Sequence, residues 1–218
     1  MNSTNTTFDI IGEDHISTSL ETPLREDAFD ISDERKIELI QNHFKEIMYI
    51  LGLDLSDDSL MGTPHRVAKM YVQEIFSGLN PKNMPETKLF QNKYEYNEML
   101  IEKDITLYSY CEHHFVPIVG KVHVAYISNG QVIGLSKINR LVQYYAKRPQ
   151  VQERLTNQIA EGLKQALQSD DVAVIIVATH LCVSSRGIKD TNTSTITTHY
   201  SGKFQSESIK AEFISLSK

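Results

Sequence analysis

Residues 172–183 read VAVIIVATHLCV, and this stretch does most to decide the fold. It is almost continuously apolar and rich in β-branched residues, which is the pattern of a strand buried on both faces. The threonine-rich segment 191–200 is predicted to be its partner strand. Two earlier strands are predicted, an irregular one over residues 99–107 and an alternating one over residues 115–127. The strands therefore occur as two pairs that are adjacent in sequence.

Helical patterns precede and separate these pairs. Apolar residues recur at the spacing of amphipathic helices in four segments: residues 37–51, 63–76, 138–145 and 150–167. Thr63 is the expected cap of the second helix, and Pro64 suits its first helical position. Residues 209–216 are ambiguous. The order of elements predicts an α+β fold, with an antiparallel sheet that has helices on one face.

The 218 residues divide where the pattern changes. Residues 1–33 are polar, acidic and aperiodic, and we expect a mobile N-terminal tail there. Residues 34–95 form an N-terminal helical region, and residues 96–218 contain the four strands with their helices.

The composition argues against several classes of partner. A formal net charge of −6 gives no overall positive field for nucleic acid, so an anionic ligand would need a local basic pocket. No stretch approaches the roughly 18 apolar residues of a membrane span. The N-terminus lacks the basic start and apolar run of a signal peptide. We therefore expect a cytoplasmic protein that binds neither nucleic acid nor a membrane.

The two cysteines, Cys111 and Cys182, are too few for a disulfide scaffold. They could be a chance pair, one disulfide, or thiolate ligands of a metal ion. Cys111 lies three residues before His114, a spacing that lets both side chains approach one ion from a tight turn. His180 and Cys182 lie two apart at the end of the buried strand, where both are expected to point to the same face.

Cys111, His114 and Cys182 would make a zinc site with a fourth position open for water, which is the pattern of catalytic zinc. His113 and His180 would then remain as neighbours that can move protons near neutral pH. A closed structural site, made of both cysteines and two histidines, is the alternative.

Several basic residues are candidates for binding an anion. Individually, each is more often a solvated surface side chain. A helix start that carries serine and basic residues suits an anion, because free backbone N–H groups point outward there. The candidates are Arg66 and Lys69 on the second helix, Ser136, Lys137 and Arg140 at the start of the third, and Arg186 after Cys182.

Five motifs together resemble GTP cyclohydrolase I, and the resemblance runs from about residue 36 to the end. These are TPHRVAK at 63–69, CEHHF at 111–115, GLSKINR at 134–140, RPQVQERL at 148–155, and HLCV at 180–183 with Arg186 and Gly187 after it. The resemblance implies the tunnelling fold, an antiparallel four-stranded sheet with two antiparallel helices on one face, in residues 96–218. It also implies a homo-oligomer, a decamer of two pentamers with sites at subunit boundaries.

The resemblance further implies roles for the site residues. Zn²⁺ is held by Cys111, His114 and Cys182, and His113 and His180 transfer protons. Glu153, with Gln152 beside it, binds the guanine, whose edge presents two donors to a carboxylate. The triphosphate is held by Ser136, Lys137, Arg140, Arg186, Arg66 and Lys69. The implied reaction is hydrolytic opening of the purine ring of GTP, with release of formate and formation of 7,8-dihydroneopterin triphosphate.

Two other functions remain open at this point. One is a related tunnelling-fold enzyme that acts on another purine or pterin, with a nucleophilic cysteine and a nicotinamide cofactor in place of zinc. The other is a non-catalytic binding module that zinc stabilises, which would leave GTP unchanged. Metal content separates the first from the predicted enzyme, and turnover of GTP separates the second.

Overall fold

Six α-helices and seven strands follow one another over residues 19–218, the part of the chain that this computed structural model describes. The helices are α1 (Asp33–Ile50), α2 (Thr63–Met70), α3 (Leu135–Ala146), α4 (Gln152–Leu167), α5 (Leu181–Ser184) and α6 (Glu207–Leu216). The strands are β1 (Leu89–Gln91), β2 (Met99–Cys111), β3 (Pro117–Ile127), β4 (Gln131–Ile133), β5 (Pro149–Gln150), β6 (Val172–His180) and β7 (Thr195–Tyr200). The predicted tail falls largely on residues 1–18, which lie outside the described residues.

The larger sheet has the strand order β5-β2-β3-β6-β7. Its four long strands, β2, β3, β6 and β7, are antiparallel to their neighbours, whereas the two-residue β5 runs parallel to the end of β2. Strands β1 and β4 form a separate antiparallel pair. The α+β class is thus confirmed, and β5 adds a short strand that the sequence pattern did not predict.

Helices α3 and α4 cover one face of this sheet. Their apolar stripes, which include Ile138 and Leu141 of α3 and Leu155 of α4, are fully buried against strand residues such as Val122 and Val174. Full burial of each such side chain stabilises the fold by about 1.5–3 kcal/mol. The core of the chain therefore lies between the two helices and the sheet.

Part of the opposite face of β6 is covered by the C-terminal segment. Phe204 and Phe213 are fully buried there against Ala173 and Ile175. The ambiguous C-terminal piece is therefore helical, as α6, and β6 is buried on both faces over most of its length, as its apolar run predicts.

Three local predictions were wrong, and the first two concern the second predicted helix. Gly62 is the N-cap of α2, and Thr63 is its first helical residue, where its hydroxyl accepts a hydrogen bond from Arg66 at 2.9 Å. The α-helix also ends at Met70, and residues Tyr71–Ile75 continue as a π-helix.

The third error concerns the apolar run at 172–183. The strand ends at His180, and Leu181–Ser184 form one helical turn, so Cys182 does not share a strand face with His180. No helix within residues 19–218 is long and apolar enough to cross a membrane.

Candidate metal centre

A tight turn between β2 and β3 carries the first half of the site. The N–H of Phe115 donates to Cys111 O, and the N–H of Cys111 donates to Val116 O, each at 2.9 Å. Phe115 completes the turn in the left-handed region, with φ of 54°. Cys111 itself is buried, whereas His114 is exposed. The turn thus directs the side chains at 111 and 114 toward one point beyond the end of the sheet.

The end of β6 brings the second half to the same place. The antiparallel register pairs Ile118 of β3 with His180, so the last residue of β6 lies beside the turn. The helical turn of α5 then returns the chain and places the half-buried Cys182 next to Cys111. The ligand atoms of Cys111, His114 and Cys182 all lie within 4.8 Å of one another.

These three donors fit a metal ion that prefers thiolate and imidazole. In a tetrahedral zinc site, bond lengths of about 2.0–2.3 Å put neighbouring donor atoms about 3.5–3.8 Å apart. The distance from Cys111 Sγ to His114 Nδ1 is already 3.9 Å. Among residues 19–218, no fourth His, Cys, Asp or Glu belongs to the group. His113 Nδ1 lies 3.7 Å from Cys111 Sγ, but His113 is not part of the group in which all donor atoms lie close together, so the arrangement favours an open three-donor site over the closed alternative with two histidines.

The two sulfurs also affect each other's protonation. Burial raises the pKa of the Cys182 thiol, and the neighbouring Cys111 adds to this rise through its charge and a hydrogen bond. Two thiolates are costly side by side in a partly buried site, and a bound cation reverses that penalty because it stabilises both anions. The chemistry of the pair therefore suits a cation.

Arg186 is hydrogen-bonded to a member of the donor set. Within the described residues, it is the one predicted triphosphate residue that makes such a bond. Its Nη1 donates to His114 Nε2 at 2.7 Å, so in the neutral imidazole Nδ1, 3.9 Å from Cys111 Sγ, carries the hydrogen, and this nitrogen can bind a metal only when the contact with Arg186 opens. Because Arg186 is exposed, its remaining N–H groups are accessible to an anion at the edge of the site.

None of the other predicted triphosphate residues is hydrogen-bonded to the donor set in this chain. Ser136 and Arg140 are exposed at the start of α3, Lys137 is half-buried, and Arg140 lines an open cavity with Lys147. Arg66 and Lys69 are exposed on α2. Arg66 donates to Ser59 O at 3.2 Å and to Thr63 Oγ1 at 2.9 Å, both within the N-terminal helical region.

The two histidines predicted to transfer protons both adjoin the donor set: His113 Nδ1 lies 3.7 Å from Cys111 Sγ, and His180 precedes Cys182 by two residues. The side chain of His113 is 42% exposed, and its Nε2 lies 3.8 Å from Glu112 Oε1. His180 is half-buried and its Nε2 lies 2.8 Å from Gln152 Oε1. Burial lowers the pKa of His180, and the nearby charge of Glu153 partly offsets this.

The first turn of α4 separates the two predicted guanine residues. Gln152 is 1% exposed and its amide is hydrogen-bonded inside the protein, whereas Glu153 is exposed. Of the two, Glu153 is therefore the side chain that a ligand can reach in this chain.

A buried ion pair beside the site was missed in the sequence. Arg154 donates to both carboxylate oxygens of Glu112, at 2.5 and 3.3 Å, and its side chain is only 4% exposed. Arg154 Nε also donates to Ser19 O at 2.9 Å. The available signal was that Arg154 adjoins the inward stripe of α4, where an arginine needs a partner.

The fold and the site together define an α+β protein with a three-donor candidate metal centre at one end of its sheet. The family model for GTP cyclohydrolase I matches residues 40–218. The chain is 59% identical to GTP cyclohydrolase 1 of Flavobacterium johnsoniae, over 95% of this chain and 93% of the relative. It is 55% identical to that of Vibrio parahaemolyticus (89% of each chain) and 52% identical to that of Escherichia coli strain K12 / DH10B (94% and 93%). The chain belongs to the GTP cyclohydrolase I family and is an enzyme of that type, which confirms the resemblance seen in its motifs.

Proposed function

We propose that this protein opens the purine ring of GTP hydrolytically, releases formate and forms 7,8-dihydroneopterin triphosphate, with Zn²⁺ as its cofactor. The observation that carries the proposal is the open group of Cys111, His114 and Cys182 in a member of this family. A group of three protein donors leaves room for water, as catalytic zinc sites do.

Zn²⁺ is the ion that this donor set suits best, since two thiolates and an imidazole are a common zinc ligand set. When bound, it supplies Lewis-acid activation of water near neutral pH.

We assign proton transfer to the two flanking histidines. His113 is half-exposed on the same turn as two of the donors, so it can reach a ligand there. It donates a proton to the imidazole nitrogen of the purine while water adds to the carbon between the two ring nitrogens. His180, held by Gln152, serves the later proton transfers.

We assign guanine binding to Glu153. Its carboxylate is exposed in the first turn of α4 and lies close enough to His180 that its charge partly offsets the lowering of that imidazole's pKa by burial. Guanine presents a ring N–H and an amino group on one edge, and a carboxylate can accept from both. Adenine has no matching pair of donors, so this contact selects GTP over ATP.

The triphosphate is assigned to Arg186 and to the serine and basic residues of α3 and α2. Guanidinium groups suit phosphate, because their planar fork donates two hydrogen bonds at once. Within one chain, Arg66 and Lys69 are hydrogen-bonded or exposed in the N-terminal helical region. A homodecamer of two pentamers would let a second subunit supply them, and a local cluster of this kind accounts for GTP binding by a chain of net charge −6.

The direct test is to incubate the purified, zinc-loaded protein with GTP and to measure formate and, after oxidation, fluorescent pterin. We expect both products in equal amounts, none from ATP, and none after the metal has been removed by a chelator. One zinc per chain with GTP unchanged would favour the non-catalytic binding module. Protein that purifies active on another purine or pterin without zinc would favour the enzyme with a nucleophilic cysteine.

A further inference from the structure

Gln152 is enclosed by protein although it adjoins the site. It is the first residue of α4, it is 1% exposed, and its amide contacts strands β6 and β7. Both functional groups of the side chain are hydrogen-bonded to the protein. A residue that reads guanine needs an amide group facing the ligand, and this amide faces inward.

The orientation of the amide follows from its partners. Gln152 Nε2 lies 3.2 Å from Ile176 O and 3.0 Å from Thr195 O. Backbone carbonyls only accept hydrogen bonds, so the NH₂ group must face them and the amide cannot be turned over.

A closed ring of hydrogen bonds supports the same orientation. The hydroxyl of Thr156 donates to Gln152 O at 2.8 Å, so in its 2.6 Å contact with Thr197 it must accept. The hydroxyl proton of Thr197 is therefore used, and its oxygen accepts from Gln152 Nε2 at 3.1 Å. The two hydrogens of the amide are shared among three acceptors, Ile176 O, Thr195 O and Thr197 Oγ1, and all three require the NH₂ group on this side.

This orientation determines which ring nitrogen of His180 carries the hydrogen. Gln152 Oε1 must face His180 Nε2, at 2.8 Å, and an amide oxygen only accepts. Nε2 of His180 therefore carries a hydrogen, and in the neutral imidazole Nδ1 is the bare nitrogen.

We propose that Gln152 is a positioning residue that acts through His180: it fixes the Nε2–H tautomer and the ring orientation, so that Nδ1 is the nitrogen presented to the reacting groups. This replaces the guanine contact that the motif suggests for Gln152, and its effect on turnover rests on the proposed function. Through Ile176, Thr195 and Thr197 the same amide also ties the start of α4 to strand β6 and to edge strand β7, so three elements of the fold orient one imidazole.

The kinetic test is Gln152→Met, which keeps the length of the side chain and removes both amide groups. We expect kcat for GTP to fall about 10- to 100-fold, as for loss of other orienting partners. KM for GTP and the preference for GTP over ATP should stay within twofold, and zinc content should be unchanged. A raised KM with lost preference against ATP, at parent kcat, would show that Gln152 reads the base and would overturn the proposal.

Thr156→Val is the matched control. Thr156 is equally buried on the same helix, and its replacement removes the hydrogen bonds to Gln152 O and Thr197, while two backbone carbonyls still hold the amide of Gln152 in its contact with His180. A comparable loss of thermal stability with kcat near that of the parent is expected. Equal loss of kcat in both variants would mean that any damage to this helix turn slows the enzyme, and would refute a specific role for the amide.

The tautomer can be read without turnover. In protein labelled with ¹⁵N-histidine, imidazole nitrogen shifts distinguish Nε2–H from Nδ1–H, and a His180→Asn sample identifies the resonance among the eight histidines. Nε2–H is expected in the parent protein, and a mixture in Gln152→Met. Nδ1–H at His180 in the parent would overturn the proposal even if GTP is turned over. An Nε2–H signal in a protein that leaves GTP unchanged would uphold the geometry and reject the proposed function alone.

Discussion

Replacing Arg154 by methionine tests whether the buried ion pair holds the metal-binding turn in place. Methionine keeps much of the side-chain volume but leaves the Glu112 carboxylate without its bidentate partner. Loss of one member of a buried pair costs about 3–5 kcal/mol. Because the Glu112 side chain is 20% exposed, water can partly replace the guanidinium, so we expect about 3 kcal/mol.

This loss is measurable by heat or denaturant. For a chain of this size, about 3 kcal/mol corresponds to a fall in Tm of roughly 6–12 °C. The unfolding curves of parent and variant have to be compared at one protein concentration, because self-association stabilises the folded state by mass action.

A double-mutant cycle separates the pair from the individual side chains. Glu112→Gln leaves Arg154 with its contact to Ser19 O and a weaker, uncharged partner. The loss of unfolding free energy in the double variant should be smaller than the sum of the two single losses by at least about 1.5 kcal/mol. The reason is that the double variant leaves no uncompensated charge. Additivity within about 0.5 kcal/mol would refute the coupling that the geometry implies.

The functional consequence is a weaker metal site. Glu112 lies between Cys111 and His114 in sequence, so a released carboxylate loosens the turn that carries both donors. Partners that orient metal ligands typically change metal affinity 10- to 100-fold. We expect zinc affinity of Arg154→Met to fall about tenfold or more, and unchanged affinity with a full loss of stability would separate folding from metal binding.

Four further variants test other parts of the site. Cys182→Ser should lose zinc and activity together, because a thiolate ligand disappears, and activity without metal would contradict its role. His113→Ala should retain zinc yet lose ring opening, as measured by formate release, so turnover at the parent rate would remove His113 from the mechanism. Glu153→Gln should weaken discrimination against ATP, because an amide can turn a donor toward the donor edge of guanine, and unchanged selectivity would count against the assignment. His123→Gln should reduce the loss of stability in acid. Burial lowers the pKa of His123 from its ordinary 6.5, so the unfolded chain gains a proton below about pH 6.5 that the folded chain excludes. The free energy of unfolding of the parent therefore falls as the pH drops below about 6.5, and the variant lacks this contribution. Parallel pH profiles of unfolding for parent and His123→Gln would show that His123 does not contribute.

Periodicity predicted the elements that bury a continuous apolar stripe. Strand β6 and helices α3 and α4 were predicted for this reason, because the spacing of apolar residues within each element determines which of its faces is buried. Strand β5 could not be found this way. Its two residues pair with Tyr110 and Cys111 only after the long strands have formed, so nothing in residues 149–150 alone indicates a strand.

The donor set was predicted, but the route by which it forms was not. Spacing alone indicated that Cys111 and His114 share a turn, and the structure brings them together with Cys182. The end of β6 at His180 could not be predicted from the apolar run, because the helical turn of Leu, Cys and Val that follows is as apolar as the strand before it. Side-chain partners such as Arg154 and Glu112 lie 42 residues apart, and sequence order carries no sign of that contact.

Residues 150–154 lead into α4 and form its first turn. Every second residue of this segment contacts one half of the metal centre. The carbonyl of Gln150 accepts from the N–H of Glu112 at 3.0 Å, and the guanidinium of Arg154 binds the carboxylate of that same residue. Between them, Gln152 holds His180 at the end of β6. A metal site needs its supporting side chains held within about 0.5 Å, and a single short segment that contacts the β2–β3 turn and β6 can meet that requirement. The exposed Glu153 is then the position in this segment whose substitution should change substrate preference, whereas changes at 152 and 154 should alter rate or metal affinity.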